Sequence, residues 1–459
     1  MKRIFALALI TVLLLSACQP AATGGGAADD GGAAAGGGGP AAGGGGAVQA
    51  PVREVIQLEY WFEGAGPERT PTHMAIIDGF NAQSDYIQVT GVYVDLTTGL
   101  EMVNVAFAGN MLPDVVHIGD SWAASVIAQG MAVQIDDWFN EWEDSEQFTA
   151  AALARVRMFD PQGRMFYVPT ASNITGIWYR TDVFAEHGLE PPTTWDNFFH
   201  AVEYLTDPAE AIWGHTLRGG AGSTIALMNM IVNYTGGPFW DETGTVAQMM
   251  RSEEAARFVE RFASIFQNGW APESSLTAGF NEMVADFNAE LAMTLIHNLG
   301  SYENQRQTFE PHQFSFRPFP PSPVIGMQAE QVATAKGLMI SVNSNHPEEA
   351  WEYIKWNTSR EAISAINQAV GELPTRYDSL SDPWVANATH MRHLPEYAAT
   401  PKVTIAIPNY LPDYNRHNRE FAEPNFQAVL VGQMSAHDFL HQWADRIEEA
   451  NRDFRAAHS

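Results

Sequence analysis

From Val52 onward the chain alternates short runs rich in β-branched and aromatic residues with segments of helical spacing, a pattern that few architectures accommodate. Val55 to Trp61 reads as a first strand, Pro71 to Phe80 as a helix with Met74, Ile77 and Phe80 on one face, Ile87 to Val94 as a second strand, and Pro113 to Ile118 as a third. Phe166 to Tyr179 reads as extended. Thr194 predicts an N-cap, with Phe198, Val202 and Leu205 following at i, i+4 and i+7. Ser252 opens another helix with Ala256, Val259, Phe262, Ala263 and Phe266 inward, and Pro347 stands in the first turn of a third that buries Ala350, Trp351 and Ile354. No period of roughly twenty to fifty residues recurs, which excludes solenoids and propellers. The class expected is α/β with largely parallel sheets.

The N-terminus constrains where such a protein works. Lys2 and Arg3 precede an apolar run, Ile4 to Leu15, that is too short to span a bilayer. Leu15-Ser16-Ala17-Cys18 resembles the bacterial lipobox, which implies that residues 1–17 are a signal peptide and that Cys18 is lipidated. Cys18 is the only cysteine, so the exported chain has no internal disulfide and keeps one thiol where a lipid goes. The alternative is an ordinary secretory signal with a chance cysteine. Two acyl chains suffice for stable anchoring, giving a protein held on the outer face of the cytoplasmic membrane. Gln19 stands where an aspartate retains some lipoproteins at the inner membrane. Thr23 to Ala47 is almost entirely Gly and Ala, and residues 18–50 read as lipidated cysteine plus tether. In all, 54 acidic against 25 basic residues give a formal charge of -29, which excludes a nucleic-acid partner.

Four ordered segments carry a family resemblance. Pro113-Asp114-Val115-Val116, Asp120-Ser121-Trp122 and Gln134-Ile135-Asp136-Asp137 form the first. The second is Gly163 to Pro169, then Ile177 to Phe184 and Pro192-Thr193-Thr194-Trp195-Asp196. Leu291-Ala292-Met293-Thr294 is the third. Gly337-Leu338-Met339-Ile340, Pro347-Glu348-Glu349-Ala350 and Gly371-Glu372-Leu373-Pro374-Thr375 make up the fourth. Together they resemble the extracellular solute-binding proteins that include the maltose-binding proteins. The chain departs from that pattern at Ala335-Lys336-Gly337, where a pair of glycines is common, and at Asn288-Ala289-Glu290; both departures bear on the solute, not the fold.

The resemblance implies a type II periplasmic-binding-protein-like fold: two hinged α/β lobes with the ligand cleft between them. The N-terminal lobe is expected over 51–170 plus about 333–370, and the C-terminal lobe over about 174–330 plus 373–459. Crossovers, and so hinges, fall near Asn173, Gln331 and Gly371. The implied function is the monomeric solute-binding subunit of an ABC importer, with a permease and its ATPase as partners and no cofactor or metal.

A sugar needs directed hydrogen bonds for its hydroxyls and aromatic faces for its C–H surfaces, and ligands of open α/β sheets lie beyond the carboxyl ends of strands. Trp61 and Glu63 end the first strand; Trp61 fits core packing as well as contact, whereas Glu63 is followed by glycines that admit a ligand. Asp120, Ser121 and Trp122 follow the third strand, with helix capping and core packing as the other roles. Asn173 is implied by the resemblance to touch ligand at the first crossover. Asn233, Trp240 and Asp241 flank Gly236-Gly237. His297, Asn298 and Tyr302 follow the strand ending at Ile296, and Glu372 and Arg376 flank the Leu373-Pro374 turn, each equally compatible with a solvated surface role.

Other classes lack their signatures. There is no Gly-x-Ser-x-Gly elbow, His-Glu-x-x-His helix or P-loop. A secreted glycoside hydrolase remains open, since two carboxylates can meet in space from anywhere in the chain. A surface adhesin is a third possibility. Among carriers, no adjacent tyrosines favour iron, and the acidic balance leaves a polyamine or other cation as the second solute class.

Overall fold

The computed structural model describes residues 54–64, 69–95, 98–331 and 334–457. The leader, Cys18 and the Gly/Ala-rich stretch lie outside the described residues, as do Ala65 and Gly66 after the first strand and the side chain of Asp120. The strands are β1 (Ile56–Gly64), β2 (Ile87–Asp95), β3 (Val115–Ile118), β4 (Val168–Asn173), β5 (Thr175–Arg180), β6 (Thr294–Asn298), β7 (Phe314–Pro318), β8 (Gln328–Gln331), β9 (Thr334–Ile340), β10 (Leu373–Pro374) and β11 (Lys402–Ile405).

Period-two burial explains β1: Leu58, Tyr60 and Phe62 are buried, while Gln57 and Glu59 between them are exposed. The strand runs three residues beyond Trp61, which draws Glu63 into the sheet. Helices form where caps and spacing place them. The Thr194 hydroxyl accepts the Asn197 N–H at 3.0 Å and opens the helix Trp195–Tyr204. Ser252 accepts the Ala255 N–H at 3.2 Å and opens Glu253–Gln267. Pro347 begins the helix Pro347–Asn357.

The first sheet has the order β10-β4-β9-β3-β1-β2. β1 is parallel to β2 and β3, but β9 lies antiparallel between β3 and β4, and β10 antiparallel beside β4. A second sheet, β6-β5-β7, is antiparallel throughout, and β8 pairs parallel with β11. The sheets are therefore mixed, which corrects the expectation of largely parallel ones. β9 and β10 return from remote segments, and a strand that arrives without a local crossover helix is not held to the parallel sense.

Five apolar clusters form among the described residues, three of them large. One lies on the first sheet, around Tyr60, Phe62, Val116, Trp122, Met339 and Ile354. A second joins the helices Trp195–Tyr204, Ser223–Thr235, Glu253–Gln267 and Ala436–Ala457 through Phe198, Met230, Phe258 and Trp443. The third gathers Trp178, Phe287, Leu295, Phe316 and Met391. β5 divides the last two, since Ile177 enters one and Trp178 the other, as alternate residues of a strand must.

β4 ends in the first sheet at Asn173 and β5 begins in the second at Thr175, so Ile174 alone links them. The chain comes back between β8 and β9 and leaves again after β10. Before β10, Gly371 has φ 76°, and a Cβ there would stand 2.6 Å from the Tyr302 ring, so only glycine fits.

Trp178 has no exposed surface, and its indole N–H donates to the Asn298 carbonyl at 3.2 Å. Trp178→Ala should therefore cost about 3–5 kcal/mol, read as a lower urea midpoint by circular dichroism. Trp178→Phe, which keeps most of the volume, should cost less.

Candidate functional site

At the carboxyl end of β1 a set of polar side chains is buried together. Glu63 comes from β1, and Arg69 and His73 from the start of the helix Thr70–Gln83. His117 comes from β3, Thr170 and Asn173 from β4, Lys336 from β9, and Glu372 from the turn into β10. Five strands that lie side by side in the first sheet, in the order β10-β4-β9-β3-β1, bring these together.

Glu372 is the hub. Its Oε1 accepts Lys336 Nζ at 2.7 Å and Asn173 Nδ2 at 3.0 Å, with Arg69 Nη1 at 4.0 Å. Lys336 also faces Glu63 Oε1 at 3.9 Å, and His117 Nδ1 lies 3.5 Å from the same oxygen. His117 Nε2 meets the Thr170 hydroxyl at 3.0 Å, and His73 stacks on Phe62 with centroids 4.6 Å apart. From the opposite side, Arg69 Nη2 donates to the Gly300 carbonyl at 2.9 Å, tying the loop after β6 to the helix after β1.

Burial by itself would raise the Glu372 carboxyl, but Lys336, Arg69 and the Asn173 amide hold it at about 2. Glu63 goes the other way: burial, joined by the charges of Glu372 and Asp95, outweighs Lys336 and Arg69 and raises it. Burial, reinforced by neighbouring cations, lowers His73 and His117 to about 3, so both rings are neutral donors and acceptors. The result is a nearly charge-balanced buried cluster rich in hydrogen-bonding groups. Among the described residues no group of three or more His, Cys, Asp or Glu side chains could hold a metal ion.

A family model described as bacterial extracellular solute-binding protein matches residues 66–363, well over half the chain. The chain belongs to that family. The mannitol-binding protein of Pseudomonas aeruginosa is 23% identical over 300 residues, spanning 61% of this chain and 67% of the relative. The multiple sugar-binding protein of Streptococcus mutans is 24% identical over 287 residues, 58% of this chain and 65% of its own. Among solved structures, a Thermotoga lettingae solute-binding protein bound with alpha-D-tagatose superposes with a TM-score of 0.74 at 17% identity, over 86% of this chain and 99% of that one. Maltose-bound MalE3 of T. maritima gives 0.73 at 20% identity, over 86% and 99%. These likenesses establish the two-lobed fold, and the family is one of binding proteins, not hydrolases. No helix among the described residues is long and apolar enough to cross a membrane.

In this solute-binding protein the structure brings Glu63, Asn173 and Glu372 together, and the Asn298–Tyr302 loop reaches them through Gly300. Asn298 itself accepts the Gly300 N–H at 3.0 Å, and Tyr302 stacks on His390 at 3.6 Å beneath Gly371. His297 packs on Phe280 at 4.7 Å. Trp61 is half-buried against the first core and donates to Glu59 at 2.5 Å. Asp120 starts the helix Asp120–Ala128, the Ser121 carbonyl accepts the Asn415 amide, and Trp122 is a core residue.

Other expected residues are engaged elsewhere. Asn233 is buried mid-helix and bonds the Asn229 carbonyl at 2.7 Å. Trp240 packs edge-on against Phe239, and Asp241 organises its own loop by accepting the Thr245 and Val246 N–H groups at 2.9 and 3.0 Å. Arg376, four residues from Glu372, is buried between Asp378 at 2.8 Å and Asp144 at 2.9 Å, with the Thr358 carbonyl at 3.2 Å.

Sequence reasoning missed Arg69, His73, His117, Thr170 and Lys336 as members of the site. Two left a signal: His117 interrupts the apolar run Val115-Val116-His117-Ile118, and Lys336 stands between Ala335 and Gly337 inside a strand. Each is a costly polar residue in an apolar segment, which calls for a partner.

Removing the ammonium leaves the buried Glu372 with only the more distant Arg69 as a counter-charge, so Lys336→Met should destabilise by about 3 kcal/mol, and Lys336→Met with Glu372→Gln should recover much of it in thermal melts. Acid should also destabilise the fold. His73, His117, His215 and His297 are all held near 3 by burial, so the unfolded chain takes up protons first below about pH 6.5 and stability falls from there towards 3. Glu372, held at about 2, adds a loss below roughly pH 4.3. Glu63, with its raised carboxyl, acts in the opposite sense, its contribution fading as pH rises. A melting temperature unchanged between pH 7 and 4.5 would contradict this account.

Proposed function

We propose that this protein is the capture subunit of an ABC importer, closing two lobes on a hydroxyl-rich solute, a sugar or sugar alcohol, and presenting it to a membrane permease driven by a partner ATPase. The observation that carries the reading is the charge-matched cluster of Glu63, Glu372, Lys336 and Arg69 at the ends of β1, β9 and β10. Such a cluster offers donors and acceptors to hydroxyls. A polyamine would instead need carboxylates without resident counter-ions, and here both carboxylates face cations already. The mannitol- and multiple sugar-binding relatives support the same solute class.

The lobes of this reading divide as 51–170 plus about 333–370 and about 174–330 plus 373–459, with hinges near Asn173, Gln331 and Gly371; the start of the last segment stays bonded to the first lobe through Thr149 N–H to the Thr375 carbonyl at 2.8 Å. Closure follows from contact of one solute with both sides. Cys18 carries the lipid, residues 18–50 form the tether, and the protein acts as a monomer on the outer face of the cytoplasmic membrane. Cys18→Ala should release it from the membrane fraction into the soluble one.

A thermal-shift screen of hexoses, oligosaccharides, polyols and polyamines tests the solute class. A true solute at a hundredfold excess over its Kd should add about 2.7 kcal/mol. Stabilisation by polyamines alone would overturn the reading.

A further inference from the structure

We propose that the second lobe carries an anion subsite centred on Arg218, and that the captured solute bears a carboxylate, as a sugar acid does. The inference rests on the solute-cleft reading and narrows it.

Arg218 precedes the loop Gly219-Gly220-Ala221-Gly222, which leads into the helix Ser223–Thr235. The guanidinium is partly exposed and makes one hydrogen bond, from Nε to the Ala221 carbonyl at 2.6 Å. Among the described residues it forms no ion pair. A guanidinium has five N–H donors, so most of its bonding capacity is open. Beside it the Ser223 and Thr224 side chains are 1% and 0% exposed, and neither hydroxyl has a partner. Both lie in the first turn of a 13-residue helix, where backbone N–H groups and the helix dipole favour negative charge.

Arg218 and Ser223 line one recess with His215, Thr216, Met230 and Ile296, enclosing about 260 Å³ with its open space included. Most of that volume is open to solvent, and the enclosed part, about 10 Å³, has room for about one water, so an anion meets the partly exposed Arg218 at the mouth of the recess. Gly222 makes the arrangement possible: at φ 82° its missing Cβ would lie 2.2 Å from the Arg218 guanidinium. The carboxylates nearby are engaged elsewhere. Glu423 accepts the Gly222 N–H, Asp286 accepts the Thr216 hydroxyl at 3.1 Å, and Glu282 accepts the Gly279 N–H at 3.0 Å. Burial lowers the guanidinium to about 10, against the opposing charges of Glu423 and Glu282, which leaves it charged at neutral pH.

β6 links the recess to the cluster under the first lobe. Ile296 lines the recess, and Gly300, four residues on in the 3-10 turn Leu299–Ser301 that follows β6, accepts from Arg69. One solute can thus offer hydroxyls to the Glu63–Lys336–Glu372 cluster and an anionic end to Arg218. A chain of formal charge -29 repels anions at long range, so taking one up requires a local, desolvated cation. A guanidinium fork matches a planar carboxylate with two parallel bonds.

The test is titration calorimetry of the full-length protein at pH 7.5 with matched pairs, glucose against glucuronate and galactose against galacturonate, and glucose 6-phosphate as a third arm. At least one uronate should bind roughly ten- to a hundredfold more tightly than its neutral partner, the range for a hydrogen bond to a charged group. Arg218→Gln should erase that preference, Arg218→Lys should keep part of it, and Ser223→Ala, which removes a hydroxyl without a partner, should weaken uronate binding while leaving the ligand-free melting temperature unchanged. Neutral hexoses binding as well as or better than the uronates would overturn the anion subsite and leave the sugar cleft standing. Preference for the phosphate ester over both uronates would overturn the carboxylate assignment. Binding of none of these, with another solute class taken instead, would overturn the cleft reading and the subsite with it.

Discussion

An ammonium taken out of water must be met by carboxylate and by hydrogen bonds in good geometry, because the desolvation of each ion costs several kcal/mol. Lys336 is met in that way, 2.7 Å from Glu372 and 3.9 Å from Glu63. Much of the surrounding architecture follows from keeping these groups in register. β9 must lie between β3 and β4 to present Lys336, and β10 must pair with β4 so that Glu372 reaches both Lys336 and Asn173. Asn173 also ends β4, with only Ile174 between it and the start of β5 in the second sheet.

Arg69 follows β1 and donates to the Gly300 carbonyl on the turn after β6, so a direct bond ties the charge cluster of the first sheet to the end of β6. In the proposed reading, a solute that inserts hydroxyls among these groups changes bonds on both lobes at once, which is the differential contact that a two-state closure requires. Ile177 and Trp178, three and four residues past the crossing at Ile174, anchor β5 in two separate cores.

The elements were largely legible. β1, β2 and β3, the capped helices at Thr194 and Ser252, and the helix at Pro347 follow from local signals, since period, cap and proline act within a few residues. Strand direction was not, because β9 and β10 pair with partners more than 150 residues away and nothing local records the sense of approach. The candidate site was less legible, three of its eight side chains having been found. Glu63, Asn173 and Glu372 stood out as polar groups at strand ends, yet Arg376, equally polar and four residues from Glu372, turned out to hold Asp144 and Asp378.

The sequence by itself determined many of the secondary-structure elements and the family, because each is written in contiguous residues whose chemistry is read one segment at a time. Only the tertiary structure decided which polar side chains share a buried volume. Lys336, His117 and Arg69 come from three separate elements, and whether a charged group is a partner, a cap or a surface residue depends on distances of a few ångströms that no spacing along the chain encodes.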